Sequence, residues 1–158
     1  MFRRIGAVLG VVVAATAAGE EGGGHVPHYV EYGPHHLSLF TGVTDISGKD
    51  TAFTLGLDYE YRLNDRLGIG TVVEEAFGEI DATTILAVAD IHLGHGALIM
   101  QVGPGVEILD DKELFVARVG MLYEFERGAY TISPQLHYDY HDGGKDALVL
   151  GLAFGMSF

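Results

Sequence analysis

The chain has 158 residues, of which 48% are apolar and 20% charged, and it carries a formal net charge of −13 at pH 7. It contains no cysteine, which excludes a disulfide scaffold, thiolate metal ligands and cysteine catalysis. Nine Lys and Arg residues against 22 Asp and Glu residues argue against a nucleic-acid partner, because phosphate binding requires a basic surface.

The N-terminal segment, residues 1–17, has the layout of a secretory signal peptide. Two arginines precede an apolar run from Ile5 to Ala18, and residues 15–17 offer a small-x-small cleavage site. The run is shorter than the roughly 20 residues that a membrane-spanning helix needs. Cleavage would leave 7 basic and 22 acidic residues, a net charge of −15. Residues 18–34 are then expected to form a flexible, histidine-containing periplasmic lead-in.

From residue 35 to residue 158, apolar and polar residues alternate, which predicts β-strands with one apolar face each. The predicted strands span 35–44, 51–63, 67–77, 83–93, 97–107, 114–125, 129–140 and 148–158. Their connections alternate in length, with three-residue turns at 64–66, 94–96 and 126–128 and five or six residues at 45–50, 78–82, 108–113 and 141–146. This alternation predicts an all-β, eight-stranded antiparallel up-and-down barrel without free edges.

The alternation leaves open whether the apolar face fills a soluble barrel or faces lipid around a membrane barrel. The second face is rich in Gly, Ala, Ser and Thr, which suits a narrow interior better than a solvent surface. Aromatic residues on the apolar face cluster toward both strand ends, as bilayer interfaces select. Strands of about 10–13 residues also match the ~9–11 that cross a bilayer when tilted. These features favour a transmembrane barrel.

In this arrangement the sequence resembles the small bacterial outer-membrane β-barrels of the OmpA/OmpX type. The resemblance rests on the signal segment, the eight strands and an aromatic C-terminal residue, and it covers residues 35–158. It implies that the last strand is the signal read by the barrel assembly machinery, through Phe154, Met156 and Phe158. The chain departs from that family in its short outer loops and in ending at Phe158, so adhesion and peptidoglycan anchoring are not expected.

The second face carries the charges that would lie in the lumen: Asp58, Glu60, Arg62, Glu74, Asp90, His92, Glu107, Arg118, Glu124, His137 and Asp139. One hypothesis is that they form ion pairs that plug a lumen which eight strands make just wide enough for side chains. The alternative is a path for small cations or metal ions, since seven acids face two arginines.

Two further kinds of chemistry follow from the histidines. His137, Asp139 and His141 alternate near the outer end of one strand and form a candidate metal site, although no complete ligand set is fixed by their spacing. His36-Leu37-Ser38 has the His-x-Ser spacing of outer-membrane lipid A deacylases. Both of its side chains are predicted to face the lumen, and it lacks the following Asn, so an enzyme is not expected.

The sequence thus predicts a monomeric outer-membrane barrel with a structural, envelope-integrity role and no cofactor. Its expected partners are outer-membrane lipid, lipopolysaccharide and the barrel assembly machinery, with no nucleic acid. The alternative function is a narrow pore for small cations or metal ions.

Overall fold

The computed structural model describes residues 31–78, 81–93, 97–110 and 112–158. The predicted signal segment, most of the predicted lead-in and the turn predicted at 94–96 lie outside these described residues. No helix in the described part of the chain is long and apolar enough to cross a bilayer.

The described residues form extended strands from His35 onward. The strands are β1 (His35–Ile46), β2 (Asp50–Asn64), β3 (Leu67–Gly78), β4 (Ala82–Leu93), β5 (Leu98–Ile108), β6 (Glu113–Tyr123), β7 (Phe125–Arg127), β8 (Tyr130–His141) and β9 (Ala147–Ser157). β6 and β7 are two parts of one barrel strand, since both pair with β8 in the same register.

Neighbouring strands pair antiparallel, and the pairing of β1 with β9 closes the sheet. A path of paired residues that leaves β1 at His35 and passes once around the barrel returns to β1 at Asp45, ten residues further along. Such an offset tilts the strands against the barrel axis and sets the barrel diameter. The predicted eight-stranded antiparallel barrel is confirmed.

Two prolines account for the gaps in the hydrogen-bonded ladders. The sequence predicts one continuous strand over 114–125, but the structure has a break between β6 and β7. The break lies where Tyr123 would pair with Pro134. The ladder between β4 and β5 is likewise interrupted where Ala87 would pair with Pro104. Proline has no N–H to donate, so each one interrupts the ladder without changing the register.

The connections predicted at five or six residues are shorter, because pairing continues beyond the predicted strand ends. They span 47–49, 79–81, 109–112 and 142–146. In the first, Ser47 and Gly48 both have positive φ, 53° and 67°, and the Lys49 N–H donates to the Ile46 carbonyl at 3.1 Å. This is the mirror-image turn that matches the twist of a hairpin, and it shortens the connection predicted at 45–50.

The apolar face points outward, as predicted. Leu57, Phe154 and Phe115, for example, are half exposed on the outer wall. The aromatic residues Phe53, Phe77, Tyr123 and Tyr130 lie on this wall toward the strand ends. The wall therefore presents a nearly continuous apolar surface to its surroundings, as a barrel in lipid requires.

Candidate functional site: the barrel lumen

The lumen is the only place where buried polar residues concentrate among the described residues, and glycines make the room for them. A Cβ atom at Gly68 would collide with the Glu60 carboxylate, and one at Gly120 would collide with the His137 ring. A Cβ atom at Gly56 would lie 2.7 Å from Glu74 Cγ. The small residues that the sequence places on this face are thus paired with long polar side chains on neighbouring strands.

One charged cluster lies near the terminal rim, the end of the barrel where β1 begins and β9 ends. His92 Nε2 lies 2.7 Å from Glu60 Oε1, and Arg62 Nη2 lies 3.2 Å from Glu60 Oε2. Arg62 Nη2 also lies 3.8 Å from Glu124 Oε2, and His36 Nδ1 lies 3.8 Å from Glu124 Oε1. A chain of alternating acidic and basic groups therefore crosses the lumen at this end.

Two further carboxylates, Asp58 and Asp90, are joined through a neutral residue. The Gln101 side-chain amide donates to Asp58 Oδ2 at 3.1 Å and to Asp90 Oδ1 at 3.0 Å. Neither carboxylate lies within 4 Å of a basic nitrogen of a described residue. The other side-chain atom of this bridge, Gln101 Oε1, is buried without a hydrogen-bond partner.

The middle of the lumen holds a tightly bonded ion triad of Glu74, Arg118 and Asp139. Arg118 donates to both oxygens of Glu74 at 2.8 and 2.6 Å and to both oxygens of Asp139 at 2.7 Å. All three residues are buried, and Arg118 is only 3% exposed. The two bidentate pairs tie β3, β6 and β8 together across the barrel, with both carboxylates satisfied by one guanidinium.

The predicted metal set of His137, Asp139 and His141 is not assembled as a metal site. Both Asp139 oxygens accept from Arg118, and His137 Nε2 is paired with Gln135 Oε1 at 3.0 Å. His141 Nε2 lies instead 3.3 Å from Glu107 Oε2. In the described part of the chain, no group of three or more His, Asp or Glu side chains could hold a metal ion.

Apolar side chains from the second face of the predicted strands also fill part of the lumen. Phe40 is 2% exposed and packs with Val149 and Ala153. Its ring fits only because its neighbours are glycines, since Cβ atoms at Gly42 and Gly151 would each lie 2.6 Å from Phe40 Cζ. A second buried cluster contains Val72, Leu86, Val88 and Val116. In the sequence, Phe40 between Ser38 and Gly42 on the inward face indicates this aromatic filling of the lumen.

A cavity remains near the terminal rim, with a volume of about 10 Å³. Carboxylates dominate its lining, which consists of His36, Ser38, Asp58, Glu60, Asp90, Ile99, Leu122, Glu124 and Gln135. This volume is close to the minimum that one water molecule needs.

The C-terminal residue is held at the seam between β1 and β9. Phe158 and His35 exchange backbone hydrogen bonds at 3.1 and 2.9 Å, and their rings stack with centroids 5.5 Å apart. A Cβ atom at Gly33 would collide with the Phe158 backbone, and Gly33 has a φ of 104°, which favours glycine. Phe154 and Met156 on β9 and Phe158 directly after it, the residues of the predicted assembly signal, all face outward.

At the opposite rim, the short connection 142–146 is fixed by Asp146. Its carboxylate accepts from the Tyr138 hydroxyl and from the His141 backbone N–H. These hydrogen bonds, the Tyr138 hydroxyl first, lower the pKa of Asp146 below its usual range. Asp146 therefore holds this connection against the end of β8.

Comparison with solved structures finds barrels of the same architecture. The N-terminal β-barrel domain of Pseudomonas aeruginosa OprF superposes with a TM-score of 0.59 at 16% identity, covering 78% of this chain and 97% of that one. The outer membrane enzyme PagL gives 0.55 at 13% identity, with 78% and 99% covered. Neisserial surface protein A gives 0.53 at 12% identity, with 78% and 96% covered.

No protein-family model and no curated protein sequence matches the chain. At such low identities the likeness to solved structures concerns the fold, and proteins with this fold include both an enzyme and surface proteins. The chain therefore has the fold of a small eight-stranded transmembrane β-barrel of the bacterial outer membrane.

Proposed function

We propose that this chain is a monomeric structural barrel of the bacterial outer membrane, with a plugged polar lumen and a role in envelope integrity. The observation that carries this proposal is the filled lumen: the Glu74–Arg118–Asp139 triad and Phe40 occupy its middle. The short connections at the opposite rim add little surface for binding or adhesion. A closed wall with a filled interior supports a role in the bilayer itself.

The proposal also includes the export of the chain and its insertion into the outer membrane. Residues 1–17 would direct export, and the last strand would be read by the barrel assembly machinery through Phe154, Met156 and Phe158. The outward apolar wall supports contact with lipid, and the acidic connections at the opposite rim support contact with lipopolysaccharide through bridging divalent ions. We propose no cofactor and no nucleic-acid partner.

A catalytic role is not part of this proposal. His36 Nε2 is paired with the Thr131 hydroxyl at 2.9 Å, and the Ser38 side chain is buried in the lumen. A serine nucleophile needs a neighbouring base and a face that substrate can reach. Ser38 faces the lumen, whereas a membrane lipid meets the outer wall of the barrel.

The second candidate, a narrow pore for small cations, is favoured by one observation. Seven carboxylates face the lumen against the two arginines Arg62 and Arg118. An acidic interior concentrates cations, as rings of Asp and Glu do in cation channels.

Planar-bilayer recording separates the two candidates. The purified, refolded barrel is expected to give no conductance steps at neutral pH, with a porin of known conductance as the positive control. Cation-selective steps from the wild-type chain would contradict the plugged lumen and support the pore. Envelope integrity is tested separately by removing the chain from its cell, which is expected to increase uptake of bulky dyes.

A further inference from the structure

Asp58 and Asp90 form a pair of neighbouring carboxylates in the lumen, and no basic side chain of the described residues lies within 4 Å of either. The two oxygens share a single nitrogen, Gln101 Nε2, so they lie no more than about 6 Å apart, a distance at which like charges disfavour ionisation. Asp90 is 3% exposed, and Asp58 faces the small cavity beside it. Two ionised carboxylates here would share only a neutral donor.

The charged groups around the pair, on its own and on other strands, do not neutralise it. Glu60, Glu74 and Glu124 add negative charge. The bases His36, Arg62, His92 and Arg118 each lie within 4 Å of a carboxylate other than those of the pair. A buried charge without a partner is costly, so the pair requires a cation of its own.

The adjoining cavity supplies an independent sign of a bound ligand. Ser38 is 5% exposed and lines the cavity, and its hydroxyl makes no hydrogen bond to a described residue. Gln135 also lines it and uses only its Oε1, toward His137. Buried polar groups need partners, and a cavity of about 10 Å³ has room for one water molecule.

We propose that the Asp58–Asp90 pair binds one proton in the folded barrel, and that the cavity holds one water molecule bonded to Ser38 and Gln135. A proton fits better than a metal ion, because no group of three or more acidic or histidine side chains in the described residues is arranged around a metal. The site does not depend on whether the barrel conducts.

Infrared spectroscopy of the refolded barrel at pH 7 tests the proton directly. The wild-type chain is expected to show the C=O stretch of a protonated carboxylic acid. Asp90→Asn and Asp58→Asn should each remove the part of this band that belongs to the pair, because either change removes one of its members. Asp142→Asn, on an exposed loop, is the matched control and should leave the band intact.

Unfolding in urea as a function of pH provides the second readout. The folded pair holds a proton that the unfolded chain releases, so the wild-type folding equilibrium should weaken by up to tenfold per pH unit while the folded pair keeps its proton, and should level off once the pair ionises. Asn imitates the protonated acid, so Asp90→Asn should lose this weakening, which begins above the ordinary pKa of an aspartate, while Asp142→Asn keeps it. Histidine titration contributes equally to all three chains.

Three results would overturn the proposal. One is the absence of the acid band in the wild-type chain, a measurement that needs no variant to fold. Another is an acid band whose intensity is the same in the wild-type chain and after both Asn substitutions. The third is stability that depends on sodium, at constant ionic strength against choline, without an acid band, since a metal ion would then occupy the site.

Discussion

Arg118 donates more hydrogen bonds to lumen carboxylates than any other described residue. Its guanidinium satisfies four carboxylate oxygens, two from Glu74 and two from Asp139. Replacing a whole buried ion network by apolar groups is often neutral, whereas removing one partner leaves uncompensated charge. Removing Arg118 alone should therefore destabilise the barrel more than replacing all three residues of the triad.

Arg118→Ala is expected to destabilise the folded barrel by about 3–5 kcal/mol, because Glu74 and Asp139 would remain as buried carboxylates without a partner. The free energy of unfolding is measured in urea by circular dichroism, since the chain has no tryptophan for fluorescence. The triple variant Glu74→Gln, Arg118→Met, Asp139→Asn should recover most of the loss.

Arg66→Ala is the matched control, since Arg66 lies exposed in the turn between β2 and β3. It should change stability by no more than about 0.5 kcal/mol. An Arg118→Ala barrel as stable as the Arg66→Ala barrel would show that the triad does not hold the strands together.

At the level of the strands, the hydrogen-bond gaps opposite Pro134 and Pro104 can be filled by substitution. Pro134 lies on the outward face, so Pro134→Val keeps an apolar side chain and adds the missing N–H. β6 and β7 should then join into one continuous ladder with β8, with a gain of about 0.5–1.5 kcal/mol for the new hydrogen bond.

Amide hydrogen exchange by NMR checks this expectation. The new amide at position 134 should be protected to the same extent as its neighbours in β8, and Pro104→Val offers the parallel test between β4 and β5. Exchange at position 134 as fast as in the loop 142–146 would mean that the gap has another cause.

The strands were predictable because each must alternate between lipid and lumen, so period two survives in the sequence. Their ends were less predictable. The connection predicted at 45–50 is shorter than its composition indicates, because Ser47 and Gly48 form a tight turn. The break between β6 and β7 depends on Pro134 in the neighbouring strand β8. The lumen residues could be named from alternation, but not all of their partners. Arg118 meets Asp139 through the direct register of β6 and β8, whereas it meets Glu74 on β3 only across the lumen of the closed barrel.

At the scale of the whole molecule, the outward wall determines how the barrel sits in a bilayer. Leu152 lies near the middle of β9 and faces outward, whereas Tyr130 lies at the start of β8 and is 65% exposed. An arginine on the lipid face costs about 2–4 kcal/mol at the bilayer midplane and about 0–1 kcal/mol near the interface.

Leu152→Arg is therefore expected to weaken folding into liposomes by about 2–4 kcal/mol, and Tyr130→Arg by no more than about 1 kcal/mol. Equilibrium folding into lipid vesicles measures both. Equal effects of the two substitutions would argue against a bilayer centred on the middle of the strands.

The connections at the opposite rim have a consequence for how other molecules can meet this protein. A three-residue connection such as 47–49 can rise only about 5 Å from the rim before it must turn back. An antibody or a phage receptor-binding protein would find almost no epitope standing clear of the lipid headgroups. A protein that approaches this rim would therefore meet the strand ends and the edge of the apolar wall rather than raised loops.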